Sequence, residues 1–78
     1  MPLHENYYQV RELVDKSFVG YRRRCVAGGL DVDRIELWHD LLEAGLAADK
    51  SCPIQPGEEG WSACILAGVE ECYLRLKG

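Results

Sequence analysis

The second half of the chain has the pattern of two helices joined by a loop that contains a cysteine–proline pair. The first of these segments ends in Leu42-Glu43-Ala44-Gly45-Leu46-Ala47-Ala48, and Ser51-Cys52-Pro53-Ile54 follows it. Because a proline disfavours helical geometry at the residue before it, this helix must end before Pro53. The second segment opens with Gly60-Trp61-Ser62-Ala63, which places a large aromatic residue directly after the loop. The pattern favours an all-α fold that contains a helix–loop–helix unit.

The length and composition of the chain favour a single small domain. Its 78 residues can bury only a modest core, and its hydrophobic fraction of 47% is typical of a folded protein. No apolar run approaches the roughly 20 residues of a transmembrane helix, and the first six residues do not resemble a secretory signal. We therefore expect one domain over residues 1–78, in the cytoplasm and without a membrane partner.

The first predicted helix spans about Glu5 to about Ala27. We expect it to end at Gly28-Gly29, because glycine readily takes the left-handed conformation that follows a helix. Gly20 lies inside this helix, where we expect it to allow the close approach of another helix. The apolar stripe consists of Tyr7, Val10, Val14, Phe18 (or Ser17), Tyr21 and Cys25, and Leu13 widens it.

The second predicted helix begins at Asp31 or Asp33. Asp33-Arg34-Ile35-Glu36 resembles a capping box, in which the aspartate accepts hydrogen bonds from the first turn. We expect the helix to fade after Ala48 and residues 49–60 to form a loop. The predicted apolar face consists of Ile35, Trp38, Leu41, Leu42, Gly45 and Leu46.

The third predicted helix spans about Glu59 to Lys77 and is apolar on more than one side. One stripe comprises Trp61, Ile65, Gly68, Cys72 and Leu76, and an adjacent one comprises Leu66, Val69 and Tyr73. A helix with so wide an apolar surface is buried on several sides. We therefore expect three helices whose core is completed by homodimerisation, because 78 residues cannot cover all of this surface.

The four cysteines are expected to be reduced thiols that serve packing. Cys25, Cys64 and Cys72 occupy apolar helical positions, where free cysteine behaves as a small hydrophobe. Cys64 and Cys72 are the closest pair, and eight residues of helix hold them too far apart to bind one zinc ion. We expect no metal and no cofactor, while a disulfide or a metal site that also uses His4 and His39 remains the alternative.

A nucleophilic pair of Cys52 with His39 is the catalytic alternative. Cys52 precedes a proline at a helix C-terminus, where the helix dipole disfavours a thiolate. The chain also lacks the glycine-rich phosphate-binding pattern. We therefore expect no catalytic residue and no enzymatic activity.

Charge is divided unevenly along the chain. Residues 1–25 carry five basic and three acidic side chains, a net charge of +2, and residues 26–78 carry four basic and ten acidic ones, a net charge of −6. The total of −4 is poorly suited to nucleic-acid binding, which depends on the neutralisation of phosphates. We therefore expect a protein partner with a basic surface rather than direct nucleic-acid binding.

The candidate partner-binding residues are aromatic and arginine side chains, which are enriched in interface hot spots. Tyr7 and Tyr8 are adjacent, so both cannot face one core. The run at residues 22–24 is the only basic cluster and is either a solvated last turn or a contact for a phosphate or an acidic partner. The two tryptophans are either core anchors or hot spots. The candidates are Tyr7, Tyr8, Arg22, Arg23, Trp38 and Trp61.

Three features of residues 38–69 recur in one protein family. They are Ala44-Gly45 late in a helix, Cys52-Pro53 in the loop, and Trp61 followed by Gly68 in the next helix. In these features the segment resembles the ribosome modulation factors, small bacterial two-helix proteins that bind ribosomes and promote hibernation. The resemblance implies a shared scaffold and ribosome association. That family is strongly basic, however, whereas residues 26–78 are acidic here and an additional helix precedes them.

Small regulators of related appearance also antagonise bacterial transcription factors, and an acidic surface fits that use. We therefore predict a small regulatory protein of bacterial or phage origin that inhibits a protein partner by covering its functional surface. That partner would be a transcription regulator or another nucleic-acid-binding complex. Ribosome association of the modulation-factor type is the first alternative, and a small thiol-dependent enzyme or redox sensor is the second.

Overall fold

The computed structural model describes residues 5–77, which form three α-helices and no strand. The helices are α1 (Tyr7–Ala27), α2 (Arg34–Ser51) and α3 (Trp61–Lys77). α2 packs against both α1 and α3, and a smaller contact joins α1 to α3. The predicted all-α, three-helix architecture is therefore confirmed.

The helix ends follow the local sequence closely. Asp33 caps α2, since its Oδ1 accepts hydrogen bonds from the backbone amides of Ile35 at 2.9 Å and Glu36 at 3.0 Å. α1 ends as predicted, with Gly29 in the left-handed region at a φ of +73°. α2 extends to Ser51, three residues beyond the predicted fading point, and stops at the extended residue that precedes Pro53.

The core is formed by one stripe from each helix. α1 contributes the predicted Val10, Val14, Phe18, Tyr21 and Cys25, whereas Tyr7 is only partly buried. From the other helices, the buried apolar residues are Leu37, Leu41, Leu42, Trp61, Ile65, Val69, Cys72 and Tyr73.

The predicted apolar face of α2 was wrong at its first position. Ile35 is 74% exposed, whereas Leu37, which the prediction omitted, is 1% exposed. Two residues of helix separate these side chains by about 200°, so only one of them can face the interior. Leu37 is in register with Leu41 and Gly45, which lie one and two turns further along the buried side.

α3 is buried less widely than its sequence predicts. Leu74 and Leu76 at its C-terminal end are 54% and 38% exposed, so the predicted stripe does not continue to Leu76. Leu66 and Gly68 are partly buried. Most of the wide apolar surface of α3 therefore packs within the single chain.

Two glycines allow α2 to approach its neighbours closely. A Cβ atom at Gly45 would lie 2.9 Å from Val10 Cγ1, and one at Gly68 would lie 2.6 Å from the Cβ of Ala48. The prediction that Gly20 has this role was wrong, because no described atom lies within 4 Å of the position its Cβ would occupy. Gly20 lies on the exposed side of α1.

A buried carboxylate joins the ends of all three helices. Asp49, near the end of α2, is 8% exposed. Its Oδ1 accepts a hydrogen bond from Trp61 Nε1 at 2.9 Å, and its Oδ2 accepts one from Asn6 Nδ2 at 2.8 Å. Asn6 and Trp61 stand at the beginnings of α1 and α3, so a single side chain fixes both helix starts against α2.

We predict opposite effects of adding a methyl group at Gly68 and at Gly20. Gly68→Ala should lower the free energy of unfolding by about 1–3 kcal/mol, because the backbone of α2 cannot move away easily. Gly20→Ala should raise it by up to about 1 kcal/mol through improved helix propensity. Urea denaturation measures both changes. Equal stabilisation by the two substitutions would mean that α2 and α3 are not packed this closely.

Trp61→Ala should remove most of the stability of the fold. The indole is 6% exposed, and truncation of a buried tryptophan costs about 3–5 kcal/mol. The substitution also leaves the Asp49 carboxylate without one of its donors. Far-UV circular dichroism should show loss of helix, while the surface substitution Arg23→Ala should leave the spectrum and Tm unchanged. Full helicity with an unchanged Tm in Trp61→Ala would contradict the core position.

Candidate functional site

The structure separates the six predicted partner-binding residues into two groups. Arg22, Arg23 and Trp38 line neighbouring parts of one surface between α1 and α2. Tyr8 is 69% exposed and lies on the same face of α1, four turns before Arg22. Tyr7 is partly buried against the core, and Trp61 is enclosed at the Asp49 end of the molecule. Trp61 therefore does not belong to this accessible surface.

The concave surface between α1 and the beginning of α2, which we call the α1–α2 groove, consists of two adjoining regions. Their volumes are about 510 Å³ and about 390 Å³, and Phe18, Val19 and Arg34 line both. Val26 and Ala27 continue the groove along the C-terminal half of α1. The complete set is Asp15, Phe18, Val19, Arg22, Arg23, Val26, Ala27, Arg34, Ile35 and Trp38.

The floor of the groove is apolar and exposed. Val19 is 58% exposed, Val26 is 67% exposed and Ile35 is 74% exposed. Val19 and Val26 are seven residues apart and so lie on one face of α1, while Ile35 extends the same surface from α2. Half of the large hydrophobic side chains that are exposed in residues 5–77 therefore meet in this one place. A contiguous exposed apolar surface of this kind is a candidate interaction surface, whereas scattered exposed residues are ordinary.

Three arginines border the apolar floor. Arg22 and Arg23 come from the last turns of α1, and Arg34 is the first residue of α2. In the described part of the chain, none of the three forms a salt bridge. Their guanidinium groups are therefore available to an anionic group that enters the groove.

Trp38 forms a fixed wall at the other end of the groove. Its Nε1 donates a hydrogen bond to Asp15 Oδ1 at 2.6 Å, and the guanidinium of Arg11 lies 5.7 Å from the centre of its ring. Arg11 Nε is also 3.7 Å from Asp15 Oδ2. The Arg11–Asp15 pair therefore holds the indole in one orientation, which reduces the entropic cost of packing a ligand against it.

Arg24 differs from Arg22 and Arg23 because its side chain faces α3. It donates two hydrogen bonds of 3.1 Å to the carboxylate of Glu70, and its guanidinium lies 4.3 Å from the centre of the Tyr73 ring. Tyr21 also donates to Glu70 at 3.1 Å. Burial, assisted by Glu70, raises the pKa of Tyr21 to about 12, and the hydrogen bonds from Arg24 lower the pKa of Glu70. This cluster ties α1 to α3 on the side away from the groove.

Two of the four thiols, those of Cys64 and Cys72, have raised pKa values. All four cysteines are free. A hydrogen bond with Cys52 raises the pKa of the Cys64 thiol, and burial raises the pKa of the Cys72 thiol, whose Sγ lies 3.7 Å from the Asp40 carbonyl oxygen. A raised pKa keeps a thiol protonated at neutral pH and lowers its reactivity.

The residues of the alternative catalytic and metal sites are not brought together. Cys52 and His39 lie thirteen residues apart along α2, a separation of about 20 Å. His39 instead lies 3.6 Å from the carboxylate of Glu43. Within residues 5–77, no group of three or more His, Cys, Asp or Glu side chains is arranged to hold a metal ion. His4 lies outside the described residues.

Comparison with known proteins identifies no relative: no family model, no curated protein and no solved structure matches the chain. The resemblance of residues 38–69 to ribosome modulation factors is therefore untested. Among the described helices, none combines the length and the apolar character required to cross a membrane.

The raised pKa of Tyr21 predicts a specific loss of stability at alkaline pH. Between about pH 10 and about pH 12 the unfolded chain loses this phenolic proton while the folded protein keeps it. The free energy of unfolding therefore decreases as pH rises, by at most about 1.4 kcal/mol per pH unit from this group. Urea denaturation across this window should show a shallower decrease for Tyr21→Phe.

Tyr8→Phe is the matched control, because Tyr8 is 69% exposed and makes no hydrogen bond to the described part of the chain. It should keep the alkaline slope of the wild-type protein. If Tyr21→Phe and Tyr8→Phe have the same slope, Tyr21 does not hold its proton in the folded state.

Proposed function

We propose that the protein is a non-catalytic regulatory protein that binds a protein partner through the α1–α2 groove and covers the surface through which that partner acts. The observation that carries this proposal is the exposed apolar floor of Val19, Val26 and Ile35 with arginines at its border. In a free chain this floor faces water, and its burial against a partner would stabilise the complex.

The composition of the groove supports a protein partner. Protein–protein interfaces have an apolar centre and a polar border, with aromatic residues and arginine enriched. The aliphatic floor, Trp38 and the three arginines reproduce that distribution. An interface of standard size buries about 800 Å² on each partner, roughly a seventh of the 5421 Å² surface of this chain. So small a protein would act by stoichiometric occlusion.

Ribosome association is the alternative that Arg22, Arg23 and Arg34 favour. None of them forms a salt bridge within residues 5–77, and guanidinium groups bind phosphates well. The apolar floor between these arginines favours a protein partner instead. Proteins that read single-stranded RNA stack bases on exposed aromatic rings. This floor presents aliphatic side chains, and Phe18, which also lines it, is only 8% exposed.

The homodimer expected from the sequence remains a separate proposal. The long apolar stripe of α1 and the wide apolar surface of α3 together predict it. The stripe of α1 is largely buried within the chain, and the exposed large side chains of α3 are Leu74 and Leu76. A second copy could cover these leucines without using the α1–α2 groove. The thiol-enzyme alternative has less support, since the pKa values of Cys64 and Cys72 are raised.

The test is affinity capture from a lysate of the source cell with three matched proteins: wild type, Val26→Glu and Leu74→Glu. Both substitutions place a carboxylate at an exposed apolar position, but only Val26 lies in the groove. We expect wild type and Leu74→Glu to retain one protein in stoichiometric amount after nuclease treatment, and Val26→Glu to lose it.

Two other results would contradict the proposal. Retention of ribosomal particles that dissociate on nuclease treatment or at high salt would favour the ribosomal alternative. Equal capture by Val26→Glu and wild type would exclude the groove as the binding surface. Circular dichroism of each variant checks that the fold is intact.

A further inference from the structure

We infer that the α1–α2 groove binds an acidic amphipathic helix of the partner, with the apolar face of that helix on the valine floor and its carboxylates on the arginines. The inference rests on the proposed function, because it names the chemistry of the partner that the same groove would take.

The spacing of the floor suits a helix. Val19 and Val26 lie two turns apart on α1, a rise of about 10.5 Å, and Ile35 on α2 forms the opposite side. A helix that lies in a groove presents apolar side chains at positions i, i+3 or i+4, and i+7, which span the same length. The groove is also bounded by two helices, so a third can pack into it with ordinary ridge-and-groove geometry.

The charge of the groove selects an acidic helix, whereas the net charge of the whole chain predicts a partner with a basic surface. Arg22, Arg23 and Arg34 line it, and none of them forms a salt bridge within residues 5–77. The one carboxylate of the groove, Asp15, already accepts a hydrogen bond from Trp38 and pairs with Arg11. The groove is therefore locally positive on a molecule whose net charge is −4. At physiological salt, charges more than about 8 Å away are largely screened, so the nearby arginines decide which ligand fits.

A second copy of the chain fits this groove poorly. In a twofold-symmetric dimer the same patch meets itself, which would bring the three arginines of one protomer against those of the other. Like charges placed together across an interface oppose association. Nucleic acid would gain the arginine contacts but would find no stacking platform, because Trp38 is partly buried and Arg11 lies over its ring.

The experiment uses the full-length protein and synthetic helical peptides of about fifteen residues with leucine at positions i, i+3, i+4 and i+7. The flanking positions carry glutamate in one peptide, glutamine in the second and lysine in the third. Exposed charge pairs are individually weak, so three of them should give the glutamate peptide about a tenfold lower Kd than the glutamine peptide. In ¹⁵N-resolved NMR spectra, the amide shifts should change around Val19, Arg22 and Ile35.

Charge reversal supplies the second arm. Arg22→Glu/Arg23→Glu should bind the lysine peptide more tightly than the glutamate peptide, which reverses the wild-type order. Both side chains are exposed, so the fold should persist, as checked by circular dichroism. The control reverses the charge of Lys16 and Lys77, exposed residues outside the groove, and should keep the wild-type order.

Four outcomes would overturn the inference. Two concern the peptides: equal Kd values for all three, or amide shift changes confined to another surface. The third is tighter binding of a fifteen-nucleotide RNA than of the glutamate peptide. The fourth is a dimer, seen in sedimentation equilibrium, that Val26→Glu dissociates. If the peptides fail while capture of a protein still depends on Val26, the partner has another chemistry and the proposed function stands. If capture is also independent of Val26, both proposals fail.

Discussion

The close packing of α2 against both of its neighbours is the constraint on which the rest of the structure depends. Gly45 of α2 faces Val10 of α1, and Gly68 of α3 faces Ala48 of α2, and neither contact leaves room for one more methyl group. With the helix backbones placed in this way, the Asp49 carboxylate can reach donors at the beginnings of both other helices. A buried polar group that finds its partners in only one arrangement favours that arrangement over other compact states.

The two sides of α1 serve different purposes. On the side that faces α3, Arg24 and Tyr21 are engaged by Glu70 and hold the helices together. On the side that faces the beginning of α2, Arg22 and the exposed valines have no such partner in the described chain. Three consecutive arginines therefore do not form one basic patch, because successive residues of a helix point about 100° apart. One stabilises the fold, and two remain available to a ligand.

Local patterns in the sequence predicted the helices but not the contacts between distant residues. Helical periodicity gave the buried stripe of α1, and the Asp33 cap and Pro53 defined both ends of α2. The wrong predictions concern which neighbour an element meets: Ile35 and Gly20 fit helical patterns but face solvent. The hydrogen bonds that Asn6 donates to Asp49 and Arg24 donates to Glu70 join residues 43 and 46 positions apart, and no local pattern encodes such pairs. For the same reason, local patterns predict Arg22, Arg23 and Trp38 as contact residues but not the groove that these residues line.

Asp49 and the α1–α2 groove lie at opposite ends of α2. This separation affects which amino-acid substitutions the protein can tolerate. Fourteen residues of helix, about 21 Å, separate Asp49 from Ile35. Because effects of distant substitutions on stability are usually independent, the side chains of the groove can vary while the tied end of the bundle keeps the chain folded. The choice of ligand and the ability to fold are thus placed on separate parts of one short sequence. A lineage, or a protein engineer, could redirect this scaffold to a new target with few changes and little loss of folding stability.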